Sequence, residues 1–280
     1  MKKHLKSTLR RLPYGSTLMQ VARGPQKAVR FDDPLEAIYS QSHIVFEVPA
    51  DRCKYTYQFS YGLRGWHPFV RTLLQYLDEP SLTYERSILC KYYSRYQPKV
   101  ILDLFLEGDD RRKFADSRLA REPIKDHYPC LPWDPKFVPM RGEGGLAVAD
   151  GLQGFGPVSE EKGEFEFSRL LTTWESILRK GYRPTRDSDG EIRGYFLKRG
   201  NDYRFMIRAG FHRAAVLSAM GYDHLRVKFK SDFPRVIDRS DLKNWPLVRQ
   251  GVVEPEVAEQ IFETFFNEDG SGKAKNWGLL

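Results

Sequence analysis

The sequence predicts an α/β protein, with a small mixed sheet in its C-terminal half and a mainly helical N-terminal region. Three stretches carry that reading. Residues 195–197 and 203–207 are β-rich runs separated by the polar, glycine-bearing turn Lys198-Arg199-Gly200-Asn201-Asp202, which predicts a hairpin. Beyond Gly210 the period changes. Ala214, Ala215, Leu217, Ser218, Ala219 and Met220 suit a small-residue helix that stops at Gly221, and residues 225–229 return to strand. Residues 66–96 are aromatic and helical in period. Composition agrees, since 280 residues that are 41% hydrophobic and 14% aromatic can bury a substantial core.

In chain order, residues 1–121 read as a helical, aromatic-rich accessory region, 122–157 as a Pro/Gly-rich ordered loop or linker, and 158–280 as the domain holding the sheet and a C-terminal helix. At the N-terminus Lys2, Lys3, Lys6, Arg10 and Arg11 surround Leu5, Leu9 and Leu12, either as a solvated end or as a basic arm for anionic lipid or nucleic acid. Residues 44–48 offer a short strand. Phe69, Leu73, Leu74 and Leu77 share one helix face, and a cap-like start at residues 81–85 leads into a second helix through Leu89, Tyr92, Tyr93 and Tyr96. A packing face explains these tyrosines better than base stacking beside Arg86, Lys91 and Arg95. Residues 100–105 read as a strand or a helix start.

Prolines 123, 129, 132, 135, 139 and 157 interrupt residues 122–157. Gly142-Glu143-Gly144-Gly145-Leu146-Ala147 has dinucleotide-fingerprint spacing and Gly270-Ser271-Gly272-Lys273 resembles the end of a P-loop, yet neither has the strand-before, helix-after context. Asp187-Ser188-Asp189, followed by Gly190, is a polar turn rather than a metal motif. A helix at about 165–180 follows the acids Glu160, Glu161 and Glu164, which its dipole favours. A short strand at 235–237 and a helix at about 255–266, with Val257, Ile261, Phe262 and Phe265 on its apolar side, complete the chain.

Charge favours anionic partners: net +8 and pI near 9.3 suit nucleotides, nucleic acid or an acidic membrane face. The three separated cysteines, Cys53, Cys90 and Cys130, fit a reducing compartment better than a disulfide framework. No apolar run approaches the ~20 residues that cross a bilayer, and the N-terminus lacks a signal-peptide core, so the expectation is a cytoplasmic protein, with peripheral attachment at the inner membrane face as the variant.

Gly210-Phe211-His212-Arg213 is the most informative stretch. Glycine permits a tight turn, the first amides of the following helix are free donors, and His212 and Arg213 add cationic donors at the positive end of its dipole, which together make a phosphate cradle. With residues 176–184 before the hairpin, 203–215 through the turn, and Gly221 and Val227 after it, the segment resembles the ParB/sulfiredoxin fold over about residues 158–230. That family includes ParB nucleotide-binding domains, sulfiredoxin and free serine kinases. The resemblance implies that Gly210, Phe211, His212 and Arg213, assisted by Arg208, hold nucleotide phosphates. It also implies that Arg169, Thr172 and Ser176, at i, i+3 and i+7 on one helix face, contact the nucleotide.

In the related kinases and sulfiredoxin the segment entering this helix faces the γ-phosphate. The resemblance therefore implies that Glu160, Glu161 or Glu164 deprotonates an acceptor hydroxyl while Lys162 neutralises the transferring group, with His212 counted among the catalytic residues. The sequence does not choose among the three acids. No cysteine adjoins the turn, which argues against sulfinic acid repair, and no helix-turn-helix follows residue 230.

The expected function is a magnesium-dependent phosphotransferase, a small-molecule kinase that uses ATP or ADP, with CTP as a variant, on a hydroxyl-bearing acceptor such as an amino acid, sugar or glycan precursor. The alternatives are a nucleotide-gated ParB-like DNA-binding protein and an inert nucleotide-sensing adaptor.

Overall fold

The computed structural model describes residues 45–124, 127–128, 131–135, 138–183 and 190–280. The basic N-terminal stretch, Cys130 and Asp187-Ser188-Asp189 lie outside the described residues. The centre of the fold is the expected hairpin, β5 (Ile192–Arg199) against β6 (Asp202–Ala209), antiparallel, with an irregularity between Arg193 and Gly194. β7 (His224–Phe229) and β8 (Val236–Asp238) both run parallel to β5, beside its first and second halves respectively.

The sheet does not end with the C-terminal half. β1 (Val45–Pro49) pairs antiparallel with β7, and β2 (Cys53–Lys54) pairs parallel with β6, giving the order β1-β7-β5-β6-β2. The expected accessory region thus supplies both edges of the sheet, covering strands that would otherwise present unpaired backbone groups. A separate two-residue pair, β3 (His127–Tyr128) with β4 (Val138–Pro139), lies in the proline-rich segment.

Successive side chains of a strand point to opposite faces, so burial of both Tyr195 and Phe196 means the sheet is covered on both sides. On one face Phe196 packs against Phe46 and Phe205. On the other the Tyr195 hydroxyl accepts from Trp133 Nε1 at 2.8 Å, and Trp133 meets Phe262 and Phe265. Trp133 comes from the expected linker, and one continuous hydrophobic cluster runs from Phe46 to Ala274. Residues 122–157 thus contribute Trp133 to the same core as the strands.

Among the helices, α1 (Pro68–Asp78) and α2 (Ile88–Arg95) form the aromatic pair. The second starts later than the sequence suggested, because Ser87 rather than Ser81 caps it, accepting from Cys90 N at 3.1 Å. Residues 101–104 resolve the strand-or-helix ambiguity as a single 3-10 turn, and α3 (Gly108–Lys113) follows. α4 (Glu160–Lys180) begins five residues before the expected start, capped by Ser159 accepting from Lys162 N at 3.1 Å. α5 (Phe211–Ala219) packs against α1 and α4. Near the C-terminus α6 (Pro246–Arg249) and α7 (Pro255–Asn267) lead to α8 (Ser271–Asn276), a short helix. No helix among the described residues is long and apolar enough to cross a membrane.

Candidate functional site

Two features meet at the start of α5, and both involve α4. The turn into α5 requires glycine: Gly210 has φ of 84°, and a Cβ there would sit 2.8 Å from Glu191 O and 3.0 Å from the Ile192 Cα. Phe211 then packs edge-on against Tyr55, and the next two residues diverge. Consecutive helix positions lie about 100° apart, so adjacent side chains leave the axis in different directions.

His212 turns inward. Its ring stacks on Phe69 at 4.9 Å with 10° between the planes, and its Nε2 lies 3.1 Å from Glu166 Oε2. Glu166, fully buried, also accepts from Lys162 Nζ at 2.6 Å and from Gln153 Nε2 at 2.9 Å. Lys162 and Glu166 meet because i and i+4 share a helix face. Gln153 is held by the aromatic helix: Tyr93 donates to Gln153 O at 2.9 Å and Tyr92 to Gly154 O at 2.5 Å. A second carboxylate, Glu143, lies 3.3 Å from Lys162 Nζ and also pairs with Arg169.

The electrostatics of this centre follow from burial and pairing. Burial pushes the Glu166 carboxyl up, but hydrogen bonds and charge from His212 and Lys162 more than offset it and bring it down to about 2. Burial lowers His212 despite the hydrogen bond and charge of Glu166. At neutral pH the pair is therefore a carboxylate and a neutral imidazole whose Nε2–H donates to it, which leaves Nδ1 as the basic ring atom. His67 contributes to that neighbourhood: burial and the nearby His212 bring it down to about 3, and its Nδ1 accepts from Phe69 N, the residue that stacks on His212.

Arg213 points the other way. With Thr172, Thr173, Ser176, Lys180 and Arg183 it lines a cleft of about 400 Å³ between the C-terminal half of α4 and the start of α5. Among the described residues none of these three cations forms an ion pair, and no lining residue is a carboxylate. Hydroxyls, unpaired cations and a helix N-terminus at the rim suit a polyanion.

The expected residues thus separate. Thr172, Ser176 and Arg213 come together in the cleft, and Lys162 and His212 in the Glu166 centre. Arg169 is drawn to Glu143 instead of the cleft. Arg208 lies over the Phe233 ring at 5.0 Å and close enough to Asp134 to oppose the rise that burial gives its carboxyl, and it does not line the cleft. Glu160 and Glu161 are exposed on the first turn of α4, and Glu164 faces Glu85, where burial and that neighbour raise it. The acid that meets His212 is Glu166, which the sequence reading passed over together with Gln153 and Glu143. The spacing of Lys162, Glu166 and Arg169 at i, i+4 and i+7 was the available signal for Glu166.

No family model, curated protein or solved structure matches this chain.

Proposed function

We propose that the protein is a nucleotide-dependent phosphotransferase, moving a phosphoryl group from ATP or ADP to a small hydroxyl-bearing acceptor. The observation that carries this reading is the divergence of two consecutive residues at one helix start: Arg213 lines a cleft whose cations form no ion pair among the described residues, and His212 meets the buried carboxylate of Glu166. The ParB/sulfiredoxin resemblance supports the same assignment of Gly210, His212 and Arg213.

In the proposed reaction Arg213, Lys180 and Arg183 hold the nucleotide phosphates, with Thr172 and Ser176 donating from α4. Glu166 fixes His212 as the neutral, Nε2-protonated tautomer. His212 Nδ1 takes the proton of the acceptor hydroxyl as its oxygen bonds to the terminal phosphorus. The bond from phosphorus to the bridging oxygen breaks, and the shortened nucleotide leaves with that oxygen. This replaces Glu160, Glu161 and Glu164 as the base with His212. Magnesium enters on the phosphates, beside the hydroxyls and cations that the described residues place in the cleft lining.

Calorimetric titration with magnesium and each of ATP, ADP, CTP and GTP tests the reading. Arg213→Ala should weaken binding by about tenfold or more, the loss of one charge-assisted phosphate contact. His212→Asn should keep binding and lower turnover by about 10²- to 10⁴-fold, the usual contribution of a general base. If no nucleotide binds, or Arg213→Ala binds as well as the native chain, the reading fails. Binding by the native chain without turnover on any acceptor would favour a nucleotide-gated switch instead.

A further inference from the structure

The cation pair Lys162 and Arg169 has a partner that differs in kind from the rest of the centre. Lys162 is buried and fixed by Glu166, while Arg169 reaches to 3.7 Å from the same carboxylate. The Phe165 ring lies 5.1 Å from Lys162 Nζ and 5.2 Å from the Arg169 guanidinium, so both cations are also held by one aromatic face. Two cations sharing one buried carboxylate leave room for a further anion. Glu143 fills that place, but from a loop: it opens a tight turn closed by Leu146 N–H to Glu143 O at 3.2 Å. Gly144 and Gly145 follow with φ of 67° and 88°, and the Glu143 side chain is 45% exposed. The cations belong to a long, capped helix and the anion to a glycine turn. The buried half of the arrangement is on the helix and the exposed half is on the loop.

We propose that Lys162 and Arg169 form an oxyanion subsite for the acceptor, and that Glu143 holds the place of the acceptor's carboxylate or phosphate group until it arrives. The inference rests on the phosphotransferase reading and narrows it: the acceptor is a hydroxy compound that carries its own negative group. The nucleotide phosphates have the Arg213 cleft, whose lining on α4 starts at Thr172, less than one turn beyond Arg169, so the two oxyanions lie within reach of each other on different cations. A neutral polyol would leave Glu143 seated.

The test is calorimetric titration of the full chain and its Glu143→Gln variant with D-glycerate, inorganic phosphate, glycerol and magnesium ADP. Glu143→Gln should tighten glycerate or phosphate by about tenfold, as expected when an occupying group is removed from a competent site, and leave magnesium ADP within about twofold. Whichever of glycerate and phosphate gains more identifies the acceptor's anion. Glycerol should not bind, and adding Arg169→Ala should abolish the gain. Glu143→Asp, which keeps the charge but shortens its reach, should give a smaller gain and guards against misfolding of the first variant. Unchanged or weakened oxyanion binding in both variants overturns the subsite, as does a gain confined to magnesium ADP, which would assign these cations to the nucleotide. If magnesium ADP fails to bind the native chain while the glycerate or phosphate gain persists, the phosphotransferase reading falls and the subsite stands.

Discussion

Replacing Glu166 by glutamine probes the centre of the molecule most directly. The side chain is fully buried and accepts from Lys162, Gln153 and His212, and its carboxyl is brought from 4.5 to about 2. At about 1.4 kcal/mol for each tenfold change in proton affinity, this corresponds to roughly 3 kcal/mol of stability. The folded-state value is depressed, so this stability is fully present above pH 4.5 and is lost as pH falls towards 2. Glu166→Gln keeps the size of the group and removes the charge, leaving buried Lys162 with Glu143 as its remaining carboxylate. Urea unfolding followed by tryptophan fluorescence should show the variant less stable at pH 7, by between about 1 and 3 kcal/mol because His212 is neutral there, and the gap should shrink as pH falls to 3. A gap below about 1 kcal/mol at pH 7, or one that does not shrink with acid, would refute the claim that Glu166 is an ionised anchor.

Gly210→Ala should abolish nucleotide binding and destabilise the chain by about 1–3 kcal/mol, because alanine at φ 84° is strained and its Cβ meets Glu191 O at 2.8 Å; thermal unfolding checks it. Phe69→Ala removes the ring stacked on His212 and a buried core side chain, so it should cost about 3–5 kcal/mol in denaturant titration. Lys54 and Lys273 are both buried, and burial brings each down to about 8. A lysine depressed in the folded state opposes folding while charged there, so stability should rise from pH 8 to 10. Above pH 10 it should fall again, because burial raises Tyr55, Tyr92, Tyr93 and Tyr96 in the folded chain alone. Melting temperature across that range, flattened in Lys54→Met/Lys273→Met, measures the effect.

The hairpin, the glycine turn, α5 and β7 were legible because each has a local cause: a polar turn between β-rich runs, a glycine where φ is positive, small residues at helical spacing. The edge strand β1 was legible as a short run at 44–48, but β2 was not, since two residues at Cys53-Lys54 carry no periodicity and become a strand only because β6 lies beside them. The same holds for Trp133, whose place in the core is fixed by Tyr195 and α7 rather than by its own neighbours among the prolines. α4 began early because Ser159, not the first apolar residue, sets its end.

The candidate site divides along a similar line. The His212-Arg213 dipeptide reads as one cradle, yet successive helical residues diverge, and only the helix packed alongside decides what each one meets. α4 presents Lys162 and Glu166 on its early turns and Thr172, Thr173 and Ser176 on its later ones. The acid on His212 therefore had to come from the stripe containing Lys162, and Glu160, Glu161 and Glu164 lie off that stripe. Glu166 follows from Lys162 by helical spacing alone. Glu143 and Gln153 follow from nothing local, because loops brought to α4 by the tyrosines of α2 and by a glycine turn have no sequence period to announce them. A centre assembled in this way fixes Lys162, Glu166 and Arg169 on one helix and takes Glu143 from a loop, which is the arrangement that the proposed oxyanion subsite requires.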